Sequence, residues 1–194
     1  MNMKKTTITL AIAFLISFKC SAQDKNEGFY LTYNDYLTGN VKYEGEIYSV
    51  GRYGYAPFKV VFKAKDKKDH KVKNSPYWGC VNDGKSFRFY KGKSYNIILS
   101  GKITLYSLGQ VEAVRDEKGI ITNVYLGPET GGKRLFLHKG DNDVPVVMKQ
   151  NMVSKLLEDD PEVLKEYNKG KAISTAQIFT NVAKSVQIYN SRNK

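Results

Sequence analysis

Apolar and polar positions alternate with a period of two through most of the chain. Val41 to Tyr48 (VKYEGEIY) sets Val41, Tyr43, Gly45 and Ile47 on one side, with Lys42, Glu44, Glu46 and Tyr48 on the other. Phe58 to Lys65 (FKVVFKAK) repeats the pattern, with Phe58, Val60, Phe62 and Ala64 against Lys59, Lys63 and Lys65. This period predicts strands with one dry and one wet face. Gly28 to Tyr33 (GFYLTY) reads as a first strand and Asn34 to Asn40 as a turn, while Lys65 to Asn74 reads as a charged tip between strands. Tyr77 to Leu108 is a run of four short strands separated by NDG, KGK and SGK. Within it Phe87 and Phe89 share a face opposite Arg88 and Tyr90; Tyr95, Ile97 and Leu99 share a face, as do Ile103, Leu105 and Ser107. Asn82-Asp83-Gly84 is expected to be a three-residue hairpin loop. A further hairpin is expected across Asp116 to Lys118, with Lys133 to His138 pairing onto its second strand.

After Asp143 the period changes to 3.6. Met152, Val153, Leu156 and Leu157 fall on one helical face. Asp160-Pro161-Glu162 predicts a helix start, with an Asp cap, Pro in the first turn and an acid beside the helix dipole. That helix should stop at Gly170. Ser174 and Gln177 suggest a capping box for a last helix, whose stripe of Ala176, Phe179, Val182, Ala183, Val186 and Tyr189 should dock on the sheet. The expectation is an α+β fold: a mainly antiparallel β meander, as a curved sheet, sandwich or barrel-like body, followed by two or three C-terminal helices.

The N-terminus predicts an address. Lys4 and Lys5 precede an apolar run, Thr6 to Phe18, with Cys20-Ser21-Ala22 offering small residues before Gln23. This is the pattern of a cleaved signal peptide, 1–22, and the run is short for a membrane span. Lipidation of Cys20 is disfavoured because the charged Lys19 stands where a small residue is wanted. Residues 23–194 then form one globular domain in the periplasm or outside the cell, with a β-rich body, 23–148, and a helical part, 149–194. The mature chain keeps a single cysteine, Cys80, so no internal disulfide can form and Cys80 reads as a small buried hydrophobe.

GFYLTYNDYLTGN, YWGCVNDGKSFRFYKGKSYNIILSGKITLYS and MVSKLLEDDPEVLKEYNK, with a leader ending in SAQ, together resemble a loose group of uncharacterised exported proteins of Bacteroidetes-type bacteria. The resemblance implies a β-rich body with a helical C-terminal part. It implies no reaction and brings no functional residue with it.

Charge and composition narrow the function. The formal net charge is +12, and the leader removes Lys4, Lys5 and Lys19 without any acid, so the mature chain stays strongly basic. Export disfavours nucleic acid, leaving an unknown protein or an envelope glycan as the expected partner. Fourteen Tyr against nine Phe is an excess of rings with polar tips, suited to contact surfaces as well as to sheet faces. Tyr53, Tyr55, Trp78, Arg88 and Tyr90 are the candidate ligand-binding residues. No catalytic residue, metal ligand or cofactor is expected. Gly127 to Arg134 (GPETGGKR) fits GxxxxGK, but Arg134 replaces the hydroxyl that would hold magnesium and a strand pattern follows. Asp141-Asn142-Asp143 runs into Val144-Pro145 and reads as a polar turn rather than a calcium loop. His70 and His138 have no clustered partners in sequence, and a Cys80–His138 pair rests on residue types alone. Glu44 and Glu46 are the acids that a carboxylate hydrolase would use. The reading favoured is an exported, non-enzymatic binding or interaction protein; the alternatives are a barrel-like carrier of a small apolar ligand and a small carboxylate-dependent hydrolase.

Overall fold

The structure, a computed structural model, describes residues 27–50, 59–64, 69–73, 77–109, 111–127, 134–140, 144–170 and 174–193. In chain order these form β1 (Gly28–Tyr30), α1 (Tyr33–Leu37), β2 (Tyr43–Val50), β3 (Lys59–Ala64), β4 (Asp69–Lys73), β5 (Gly79–Asn82), β6 (Lys85–Tyr90), β7 (Lys93–Leu99) and β8 (Ile103–Leu108). Then come β9 (Val111–Arg115), β10 (Ile121–Leu126), β11 (Arg134–Lys139), β12 (Val146–Val147), α2 (Gln150–Leu156), α3 (Pro161–Lys169) and α4 (Thr175–Arg192). The expected α+β class holds: an antiparallel sheet body with helices at its C-terminal end.

Ten strands form one open sheet in the order β12-β11-β8-β7-β6-β5-β1-β2-β3-β4. It does not close into a barrel. The run β5 to β8 is a plain meander, because each connection is tight. Asp83 and Gly84 (φ 45° and 66°) form a two-residue loop between β5 and β6, one residue shorter than expected, and Lys91 and Gly92 (φ 47° and 69°) repeat it between β6 and β7. Positive φ at both central positions suits the right-handed twist of the flanking strands. β1 is only three residues long but is an interior strand, paired to both β5 and β2. The Glu27 carboxylate holds it there, accepting the amides of Ile47 and Asp83 at 3.1 Å each.

Three expected local features differ. Asn34 to Leu37 is part of a helix, not a turn, because Thr32 caps it: the Thr32 hydroxyl accepts the Asp35 amide while Asp35 answers to the Thr32 amide. Asp69 to Lys73, expected within a charged tip, is strand β4 paired to β3. β11 does not join β10; it pairs with β8 and β12, so the β9–β10 hairpin stands apart as its own two-stranded sheet.

The two faces of the large sheet are closed by different means. On one, Ile103 and Leu105 of β8 and Leu135 and Leu137 of β11 meet the inner residues of the hairpin and the helices, including Val111, Ile121, Val124, Val153, Phe179, Val182 and Val186. A bulge in β7 between Ile97 and Leu99 turns Leu99 onto this face and leaves Ile97 with Tyr95 on the other, so the three do not share a side as the alternation suggested. The C-terminal helices start where the sequence places them. Asp160 caps α3, accepting the Val163 amide, and Ser174 with Gln177 forms the capping box of α4.

α4 does more than bury its apolar stripe. Its polar side chains supply hydrogen bonds that neighbouring strands would otherwise supply. Thr180 accepts the amide of Val124 at 3.0 Å and Gln187 accepts that of Ile121 at 2.7 Å, both on β10. Asn190 accepts the Ile103 amide at 2.9 Å and donates to the Ile103 carbonyl at 2.8 Å. Gly101 must be small beside it, since an added Cβ would lie 2.5 Å from the Asn190 amide group. Replacing Asn190 with Ala leaves the Ile103 peptide groups without these bonds, and the expected loss is about 1–3 kcal/mol, read as a lower urea midpoint at unchanged slope.

The helix cap also predicts a pH response. Burial works to raise the Asp160 pKa, but the Val163 amide, Arg192 and Asn193 outweigh it and hold the carboxyl below its ordinary value. A depressed folded-state pKa stabilises above the ordinary carboxylate pKa of about 4, and the contribution disappears as pH falls through the folded value. Asp160→Asn should therefore lower the melting temperature at pH 7 and flatten its decline below about pH 4.

Candidate binding site

The alternation of β5 and β6 puts Cys80, Phe87 and Phe89 on the helix side of the sheet and Arg88 and Tyr90 on the other. That second face is the concave one. Its curvature follows from Tyr33 on α1, whose ring lies 5.4 Å from the Trp78 ring and 5.4 Å from the His138 ring. Trp78 leads into β5 and His138 is on β11, four positions away in the sheet, where a flat sheet would separate the backbones by roughly 19 Å. A single side chain touches both because the sheet curls around α1.

Three of the five expected binding residues come together here. The Arg88 guanidinium lies 4.6 Å from the Trp78 ring centroid and 5.8 Å from that of Tyr90. Its Nη1 donates to the carbonyls of Trp78, at 2.7 Å, and Phe89, at 2.8 Å. Trp78 stacks on Tyr36 at 4.8 Å and 20°. With Trp78 5% and Arg88 9% exposed, the cation braces the sheet and the indole anchors α1; Tyr90 is half-buried beside Lys91. The Arg88 face therefore carries α1, not the C-terminal helices. Tyr53 and Tyr55 lie outside the described residues, as do most of the GPETGGKR loop and Asp141 to Asp143. Arg134, the end of that loop, opens a strand rather than a phosphate-cradling helix.

Sequence reasoning missed the partners of this cluster. Tyr33 and Tyr36 were hidden in an expected strand and turn, and the Thr32–Asp35 cap is the signal that would have found them. His138 is buried at 4% exposure, with Nδ1 2.7 Å from the Tyr106 hydroxyl and Nε2 3.3 Å from that of Tyr33. These hydroxyls fasten α1 to the far side of the concave face. Cys80, by contrast, points into the opposite face with Phe29 and Phe87, so it forms no pair with His138. Burial, aided by the Glu27 charge, pushes its thiol pKa well up.

Open space lies nearby. The β6–β7 ladder ends at the Phe87–Asn96 pair, and beyond it the β7 bulge carries the two strands apart. The gap is an open groove of about 350 Å³ between Tyr36 of α1, the start of β6, the end of β7 and the outer part of β9. Lys85 donates to Glu112 Oε1 at 2.7 Å across its rim. Arg115 reaches in from β9 but donates to the carbonyls of Gly119, at 2.9 Å, and Ile98, at 3.1 Å. A second, polar depression of about 270 Å³ lies among α2, α3 and α4, beside Asn181, which donates to the Tyr167 carbonyl. Glu44 is half-buried and Glu46 exposed, and neither lines these two spaces. At the helical end, Lys139 donates to Asp159 at 2.9 Å and to the Leu156 carbonyl at 2.7 Å, and Tyr189 donates to Asp159 at 2.9 Å. Burial alone would lower the Lys139 pKa, but Asp159 and Tyr189 hold the ammonium above its usual range. Among the described residues no group of three His, Cys, Asp or Glu side chains is placed to hold a metal ion, and no helix is long and apolar enough to cross a membrane.

Compared with known proteins, the chain matches no family model, no curated sequence and no solved structure.

The thiol gives a direct check of this packing. Cys80 should resist a soluble disulfide reagent in the native protein and react fully only when urea unfolds it. Prompt labelling of Cys80 itself in the native protein at neutral pH would show that the Phe29–Phe87 side of the sheet is open.

Proposed function

We propose that this chain is an exported, non-enzymatic binding protein acting in the periplasm or at the cell exterior. The observation that carries the reading is how the chemically capable side chains are disposed. Arg88, His138, Lys139, Asp159 and Asp160 are all engaged in bracing the fold, while an open groove of mixed lining stays accessible at the end of the β6–β7 ladder. Such a groove offers contact without a nucleophile and base held against each other. The basic charge supports a partner with anionic or hydroxyl-rich surface, and the leader-like N-terminus supports export. A carrier would need enclosed apolar space, whereas the concave face is packed with the rings of Tyr33, Tyr36, Trp78 and Tyr106.

Two measurements test this. Expressed with its own N-terminus, the chain should leave the cytoplasm and have the mass of residues 23–194. Immobilised, that mature chain should retain an envelope glycan or protein saturably, with retention weakening as salt rises through the physiological range. The retained component should be recovered unaltered in mass; recovery of a cleaved product would sink the non-enzymatic reading.

A further inference from the structure

The groove at the end of the β6–β7 ladder has a lining that selects among ligand classes. Its charges are largely answered from within: Lys85 and Glu112 face each other at 2.7 Å, and the Arg115 guanidinium holds two backbone carbonyls. A phosphate or carboxylate would have to share these cations with partners already in place, and the Glu112 carboxylate lining the same groove would repel it. The space is also open, so it cannot give an apolar molecule the near-complete burial that such ligands need. What remains accessible is a rim of neutral or paired donors and acceptors, from Ser86, Ser100 and the Glu112 carboxylate, beside apolar surface from Ile97 and Tyr36. A sugar ring has the matching character, with hydroxyls around its rim and an apolar face of C–H groups.

Resting on the binding reading above, we infer that this groove binds a short neutral saccharide. Tyr36 gives the site a built-in reporter. It lines the groove on one side and stacks on Trp78, the only tryptophan, on the other. A ligand pressing on Tyr36 changes the surroundings of the indole.

The test is titration of the mature chain with two neutral disaccharides, cellobiose and N,N′-diacetylchitobiose, alongside inorganic phosphate and trialanine. Trp78 emission and calorimetry are followed together, so that optically silent binding is still seen. The expected result is a saturable isotherm for at least one disaccharide, micromolar to millimolar, with a change in Trp78 emission. Glu112→Gln and Ser100→Ala, both at exposed positions, should each weaken it roughly fivefold, the size of one lost hydrogen bond. Tighter binding of phosphate or trialanine overturns the saccharide assignment. Disaccharide binding that neither variant changes places the site elsewhere and overturns it too, as does the absence of heat with both disaccharides. In each of these cases, continued retention of an unaltered envelope component leaves the binding reading intact; losing both results removes that reading as well.

Discussion

The fold depends on completing the hydrogen bonds of a two-stranded ribbon that has no sheet to join. The β9–β10 hairpin is excluded from the main sheet because β11 takes the place beside β8. A two-stranded ribbon is marginal alone, and buried peptide groups at its edges are costly if unpaired. α4 answers that cost with side chains at three successive levels, Thr180, Gln187 and Asn190, which serve backbone groups of β10 and of the first residue of β8. From the other side, Asn96 of β7 donates to the Val111 carbonyl and Arg115 of β9 reaches the Ile98 carbonyl. The hairpin is thus stitched to helix and sheet, and the apolar core between them can stay dry. The same constraint creates the groove, since β9 runs past β7 without pairing to it.

The sheet has opposite duties on its two faces. One is a conventional core of aliphatic side chains under helices. The other wraps a five-residue helix in aromatic rings, a guanidinium and a histidine. A helix that short cannot be stable alone. It persists because Thr32 and Asp35 cap it and because Tyr33 and Tyr36 reach opposite strands of the curl. The tyrosine excess is thereby partly accounted for within the fold: the hydroxyl tips of Tyr33 and Tyr106 meet His138 while the rings pack.

Much of this was legible in the sequence. The caps at Asp160 and Ser174 name the helix starts because capping is local chemistry. The meander is visible because turn residues and alternation sit within a few positions of each other. What was not legible depends on distant residues. Nothing near Lys133 to His138 states that its partner is β8 rather than β10. Nothing near Leu99 announces the bulge that turns it over. α1 was locally encoded but masked, because Asp takes the place of the usual Glu or Gln in its capping box and GFYLTY looks extended. Of the candidate residues, Trp78, Arg88 and Tyr90 lie together, yet the burial of Trp78 could not be read without knowing that α1 packs on it. The groove, made by strands diverging, has no signature in any single segment.

The place of β1 has a kinetic consequence. Three residues near the start of the described chain lie between strands β2 and β5, and the latter begins only at Gly79. Whenever the chain is delivered N-terminus first, its earliest strand must wait for a stretch some fifty residues behind it before the interior of the sheet can close. Contacts so distant in sequence slow folding. Until that stretch has emerged, β1 can pair on one side only.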